Sequence, residues 1–353
     1  MKNLLLVGLL FVAGLLAFTD IDSASTSSNG ADESKLYMTK TFPASSVKNV
    51  DVNTSGGGIT VMGGATSEAK VEVYINGNGR GSLSDSEIEE RLEKYNLVVR
   101  MDGSTLVCEA ERKDKSGSWN WKNSLSISFK VYVPTKVATN LNTSGGGIKM
   151  ANLDGDLKFR TSGGGLKLED LRGNIKGSTS GGGIKMTNCD DVVNVRTSGG
   201  GIVATDCDGE LDMSTSGGGI KLTNLNGNVE ATTSGGGISV EDFSGDLNTS
   251  TSGGSIRMSG MNGNVKASTS GGGISASFER PGKYISLSTS AGNIDIDVPN
   301  GKGYDLDLSG NRVRMASSSN FSGSKKDDRV QGRLNGGGTT IKARASSGSV
   351  SLN

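Results

Sequence analysis

The segment Thr-Ser-Gly-Gly-Gly-aliphatic returns every 18 residues, and this fixed step constrains the fold more than any other feature of the chain. It starts at Thr143, Thr161, Thr179, Thr197, Thr215, Thr233, Thr251 (with Ser255 for the third glycine) and Thr269 with no insertion between copies. An earlier copy stands at Thr54, and a worn one, Thr-Ser-Ala-Gly-Asn-Ile, at Thr289. A short fixed period means one structural unit stacked on itself, each copy burying the face its neighbour leaves open. The 353 residues therefore read as one repeat body with distinct ends rather than as two or three globular domains.

One coil can be read from Thr215 to Thr232. Ile220 and Leu222 alternate with Lys221, and Val229, Ala231 and Thr233 alternate with Glu230 and Thr232, which is the period of a strand with one buried face. Counted from the Ile, the buried positions fall at offsets 0, 2, 5, 9, 11 and 13. This suits a nine-plus-nine coil better than a left-handed hexapeptide helix, which needs an aliphatic residue at every sixth position. Between the strand halves Gly227 supplies a turn with positive φ and Leu225 dips inward, and Asp191 takes the Gly227 place in another coil. The triple glycine makes the other corner, where backbone can stack on backbone. Thr at the head of the motif points inward to a hydroxyl ladder, and Ser points out. Parallel crossovers are right-handed as a rule, so the expected fold is all-β, a single right-handed parallel β-solenoid with 18-residue coils.

The ends differ in kind. Residues 36–134 contain strand-like runs at Val71–Ile75, Leu97–Arg100 and Leu125–Val133, and a helix near 84–95 opening on a Ser84/Glu87 capping box. They read as an N-terminal mixed cap with one short helix, covering the first open coil edge. The regular solenoid spans 135–298. Residues 299–353 are irregular coils and a second cap, with Ser346–Leu352 expected to close the far end. At the N-terminus Lys2 precedes an apolar run, Leu4–Phe18, and then a polar stretch. Residues 1–24 are thus expected to be a signal peptide, cleaved after Ala17 or around Ala24, and 25–35 a flexible linker. The expected location is outside the cytoplasm: periplasmic, outer-surface associated or extracellular. No later run is long enough to span a bilayer, so an integral membrane protein is not expected.

These residues resemble the bacterial putative-adhesin family of β-strand-repeat domains. The likeness lies in the leader, a strand pair near Val50–Val61, the Val-Tyr-Val-Pro step at Val131–Pro134 and the Thr-Ser-Gly-Gly-Gly-Ile units that follow. It implies the fold strongly and brings no catalytic residues and no cofactor.

Composition narrows function by exclusion. Lys plus Arg equals Asp plus Glu at 37 each, so no global field recruits nucleic acid. There is no His, the commonest general base and metal ligand. Carboxylates at the turn, Asp154, Asp156, Asp190, Asp208, Asp242 and Asp246, line one corner, but they lack the calcium-repeat spacing and read as turn formers. Cys189 and Cys207 occupy one position in adjacent coils and could bridge, although Leu and Phe hold that position elsewhere and core thiols are the plainer reading. Trp119 and Trp121 share a strand face and are the candidate partner or glycan contact; packing of a hairpin is the ordinary alternative. Lys149, Lys167, Lys185, Lys221 and Arg257 share one outward position, the second candidate: a basic stripe, or simply a solvated face. The outward Ser pairs form a flat hydroxyl face. The expectation is a non-enzymatic envelope or surface protein, an adhesin or binding scaffold for an unidentified protein or glycan. An envelope sensor or accessory protein, and a carbohydrate-active β-helix enzyme, are the alternatives.

Overall fold

A computed structural model describes residues 35–78, 83–113, 124–316 and 320–353. The segments read as signal peptide and most of the linker lie outside the described residues, as do Trp119 and Trp121. The chain begins with β1 (Lys35–Pro43), β2 (Asn49–Thr54), β3 (Ile59–Gly63), β4 (Glu68–Gly77) and helix α1 (Asp85–Leu92). It continues through β5 (Tyr95–Asp102), β6 (Thr105–Arg112), β7 (Leu125–Val133) and β8 (Ala138–Thr143). The repeats are β9 (Ile148–Thr161), β10 (Leu166–Thr179), β11 (Ile184–Thr197), β12 (Ile202–Thr215), β13 (Ile220–Thr233), β14 (Ile238–Thr251) and β15 (Ile256–Thr269). After β16 (Ile274–Thr289) come β17 (Ile294–Asp297), β18 (Tyr304–Ser309), β19 (Arg312–Met315), β20 (Phe321–Lys325), β21 (Arg329–Leu334), β22 (Thr339–Ala345) and β23 (Ser349–Leu352).

Each repeat strand pairs in parallel with the next at the same coil position, Ile220 on Ile238 and Val229 on Leu247, giving a β-solenoid of about nine turns. Burial in β13 falls on Ile220, Leu222, Leu225, Val229, Ala231 and Thr233, the positions that alternation assigns to the core. The turn inside the coil does not interrupt the ladder. Two left-handed residues bend the chain there, Asn224 at φ 56° and Gly227 at φ 114°, while the residues around them keep pairing with the coils on either side. Asp191 stands in the Gly227 place at φ 75°, as expected of a residue whose short polar side chain tolerates that region. The left-handed Asn224 position had no signal of its own in the sequence reading. It holds Asn152, Asp170, Asn188, Asp206, Asn224 and Asp242 in successive coils, all with positive φ. The alternation has a reason: Asn188 donates to Asp170, and Asn224 to Asp206, whereas stacked carboxylates would repel.

The triple-glycine corner is held by threonine. Thr233 Oγ1 donates to the Gly218 carbonyl of the preceding coil at 2.7 Å and accepts the Gly236 N–H at 3.4 Å. The same pair of bonds recurs from Thr143 through Thr289. The buried hydroxyl thus serves the amide and carbonyl of the middle glycines, groups that would be costly to leave unpaired. The middle glycines also touch one another: a Cβ at Gly218 would lie 2.3 Å from the Gly200 carbonyl oxygen.

At both ends the coils stack out of chain order. The coil formed by β2 and β3 pairs with β8 and β9 on one side and with β6 and β7 on the other, although β6 and β7 come later in the chain. Antiparallel strands then end the parallel ladder, β5 on β6 and β4 followed by β1 on β7. Helix α1 carries the expected capping box and buries Ile88 against this end; Tyr95, included in the expected helix, is instead buried in β5. At the far end β22 lies between β16 and β18, and β23 between β17 and β19. This corrects the expectation that Ser346–Leu352 closes the stack. Outside β22 and β23 lie β18, then β21 and β20, on one face and β19 on the other. The physical reason is that the chain passes β18 and β19 one layer too far out to pair with β16 and β17, which leaves an open place on each face. The last strands fill these places in repeat register, Ile294 on Val350.

Candidate functional site

The sequence-predicted basic stripe exists as a geometric row. Lys149, Lys167 and Lys185 are in direct register, followed by Val203, Lys221, Ser239 and Arg257, all on the outward side of the first strand half of each coil. The repulsion expected between stacked cations is partly offset by one carboxylate two residues along the strand. Glu169 lies 2.9 Å from Lys167 and 3.8 Å from Lys149, and Lys221 meets Glu241 at 3.7 Å. Among the described residues, Lys185 and Arg257 have no ion pair. These are exposed pairs and contribute little to stability.

The row does not stop at the repeats. Lys149 is in register with Thr60 of β3, Thr60 with Lys130 of β7, and Lys130 with Glu72 of β4. One step along these strands lies a second row, Lys70 beside Tyr132 beside Met62. Here two lysines and two tyrosines enclose a carboxylate. Lys70 Nζ stands 4.5 Å from the Tyr132 ring centroid and Lys130 Nζ 4.6 Å from that of Tyr74. Glu72 is paired with Lys70 at 2.7 Å and accepts from the Tyr74 hydroxyl at 2.9 Å and the Tyr132 hydroxyl at 3.4 Å. The Lys70 hydrogen bond, with that of Tyr74, holds the Glu72 carboxyl below its usual range against the opposing effect of burial. The same contact raises Lys70. Sequence reading missed this cluster. Tyr74, Lys130 and Tyr132 each have outward parity within a recognised strand run, but nothing in the sequence states that β4 lies beside β7.

The other candidate groups go to different uses. Asp156 accepts from Asn174, Asp208 from Asn226 and Asp246 from Asn264, so the turn carboxylates tie coil to coil. Arg172 lies 3.6 Å from Asp190. Among the described residues no group of three or more His, Cys, Asp or Glu is placed to hold a metal ion. A solvent-open hollow of about 510 Å³ near the C-terminal end is lined by residues including Asp307, Asp328, Arg329, Lys342 and Arg344, with Arg329 paired to Asp307 at 3.0 Å.

Cys189 and Cys207 are buried, unbridged thiols in adjacent coils, in register with Leu171 and Leu225 on either side. A hydrogen bond shared with Cys207, reinforced by burial, pushes the Cys189 thiol up, and burial pushes Cys108 up to about 12. Thiols held in this way are poor nucleophiles. Leu is larger than Cys, but Leu171 and Leu225 already fill this position in the flanking coils, so changing both Cys189 and Cys207 to Leu should cost no more than about 1–3 kcal/mol, that of moderate overpacking. Thermal melting should therefore stay cooperative with a midpoint close to that of the parent. A double variant that no longer folds would show that the sulfurs are structurally required.

No protein-family model matches the chain, and no curated protein matches it significantly. Among solved structures, the chain is similar to a putative adhesin from Parabacteroides merdae, at 12% identity over 90% of this chain and 95% of that one, with a TM-score of 0.31. A putative adhesin from Parabacteroides distasonis aligns at 12% identity over 91% and 98%, with a TM-score of 0.31. A protein from the same organism named as a putative lipid binding protein aligns at 13% identity over 90% and 96%, with a TM-score of 0.27. At these scores no residue correspondence follows. Among the described residues no helix is long and apolar enough to cross a membrane.

Proposed function

We propose that this chain is an exported, non-enzymatic binding scaffold of the cell envelope or surface, an adhesin-type protein that presents flat β-sheet faces to a partner. The observation that carries this reading is the unbroken register from β9 to β15. Each coil is followed by the next at the same step, with no inserted loop to build a cleft or deliver catalytic groups. Enzymes need convergent groups in a concave site. Here the outward side chains are arrayed on a plane at strand spacing, about 4.8 Å. Such a surface suits repeated shallow contacts whose strengths add. The Lys2 and Leu4–Phe18 leader supports export.

The test joins location to activity. In fractionated cells the protein should be found outside the cytoplasm with its N-terminus processed between about residues 17 and 25. The purified mature chain should bind isolated envelopes saturably and release no reducing sugar from them. Retention of an intact leader in the cytoplasm, or steady release of reducing ends, would overturn the reading.

A further inference from the structure

We propose that the outward sheet face running from the cap into the first repeats is a docking surface for a linear polyuronate, a glycan chain with a carboxylate on each sugar. The inference deepens the binding role proposed above and rests on it. Lys130, Thr60, Lys149, Lys167 and Lys185 stand in one row on five successive strands, β7, β3, β9, β10 and β11. Like charges in register on adjacent strands destabilise a sheet. The fold does not require them there, because Val203, Ser239 and Ser275 occupy the same coil position farther along. The row therefore carries an electrostatic cost that neutral residues would remove, and a polyanion lying along it would offset that cost.

Three further features select the occupant. Lys70, Lys130, Lys149, Lys167 and Lys185 outnumber the acids on the same outward patch, Glu68, Glu72 and Glu169, although the whole chain is neutral. The row steps by the strand spacing, about 4.8 Å, so Lys149, Lys167 and Lys185 set cations on a straight line at intervals comparable to a sugar repeat, which suits a linear polymer with regularly spaced carboxylates. Tyr74 and Tyr132, half-buried, lie at the cap end of the row, where their rings hold Lys130 and Lys70 in place and add aromatic edge to the patch. Positive charge then falls away. Beyond Lys185 come Val203, the Glu241-paired Lys221, Ser239, Arg257, Ser275 and finally Asp295, so no two cations stand in successive coils there and the patch has an end.

The test uses the full mature chain and polygalacturonate, with the fully methyl-esterified polymer and single-stranded DNA as comparison ligands, in titration calorimetry at two salt concentrations. The parent should bind polygalacturonate more tightly than either comparison ligand, and more weakly as salt rises. A Lys149→Gln, Lys167→Gln, Lys185→Gln triple variant should lose about tenfold or more in affinity. A Lys221→Gln, Arg257→Gln pair, on the same face but beyond the patch, should bind like the parent. Circular dichroism reports whether each variant is folded. Equal binding of the triple variant, equal binding of the esterified polymer, or tighter binding of DNA would overturn the proposal. Envelope binding that persists without polygalacturonate binding would overturn this inference alone and leave the scaffold role standing.

Discussion

Replacing Gly218 by Ala should cost about 3 kcal/mol or more, while Gly219→Ser at the next position should be nearly silent. The asymmetry follows from the corner geometry. A Cβ on Gly218 would lie 2.3 Å from the Gly200 oxygen and 2.4 Å from its carbonyl carbon, and that backbone is fixed by the coil below. Neither side can yield without breaking the Thr215 and Thr233 bonds that hold the corner. At Gly219 the nearest atom, the Gly237 oxygen, is 3.0 Å away, a contact relieved by a small shift. The chain supports the distinction. Ser255 replaces the third glycine and Ala291 the first, whereas the middle place keeps glycine at Gly254, at Gly292 and at Gly348 in the last coil. Chemical denaturation followed by circular dichroism decides the matter. A Gly218→Ala protein as stable as Gly219→Ser would mean that the coils are not stacked at this distance. Because a stacked repeat couples chiefly to its neighbours, the damage should split unfolding into two transitions rather than lower a single one.

Deleting residues 339–353 should strip the C-terminal end well beyond the deleted strands. This expectation depends on the position of β22 and β23 one layer inside the stack. Their removal takes Ile341, Ala343, Ala345, Val350 and Leu352 out of the core and leaves β16 and β17 on one side, and β18 and β19 on the other, with an unpaired edge facing the gap. The outer layer then has nothing to rest on. The two faces of the gap cannot simply close, because β18 is tied to β21 and β21 to β20. Limited proteolysis should release residues 299–338 rapidly while the coils from β9 to β15 remain protected. If instead Ser346–Leu352 were the terminal layer, the same deletion would trim one edge and leave 299–338 resistant. That outcome would refute the stacking order described here.

How far the sequence reaches can be judged from particular residues. The 18-residue step determined by itself that Ile220, Leu222, Leu225, Val229, Ala231 and Thr233 face inward, that Lys221 faces out and that the head Thr bonds across coils. These follow because each residue's stacking partner is its own equivalent one period away, so a local pattern already specifies a tertiary contact. The capping box at Ser84 is local in the same sense. The Asn224 kink was harder to read, since Asn and Asp are common in any turn and only the coil geometry shows that both this position and Gly227 need positive φ. Where the period lapses, tertiary structure decided. Val350 rests on Ile294 and Thr54 beside Thr143, and neither spacing is a multiple of the repeat. Lys70 meets Tyr132 only because β4 turns back antiparallel on β7. Such pairings are settled by which strand edge is left open when the chain returns to it. A periodic sequence specifies the partner at every interior position, but at an open edge several strands compete for the same backbone bonds, and only the assembled stack selects among them.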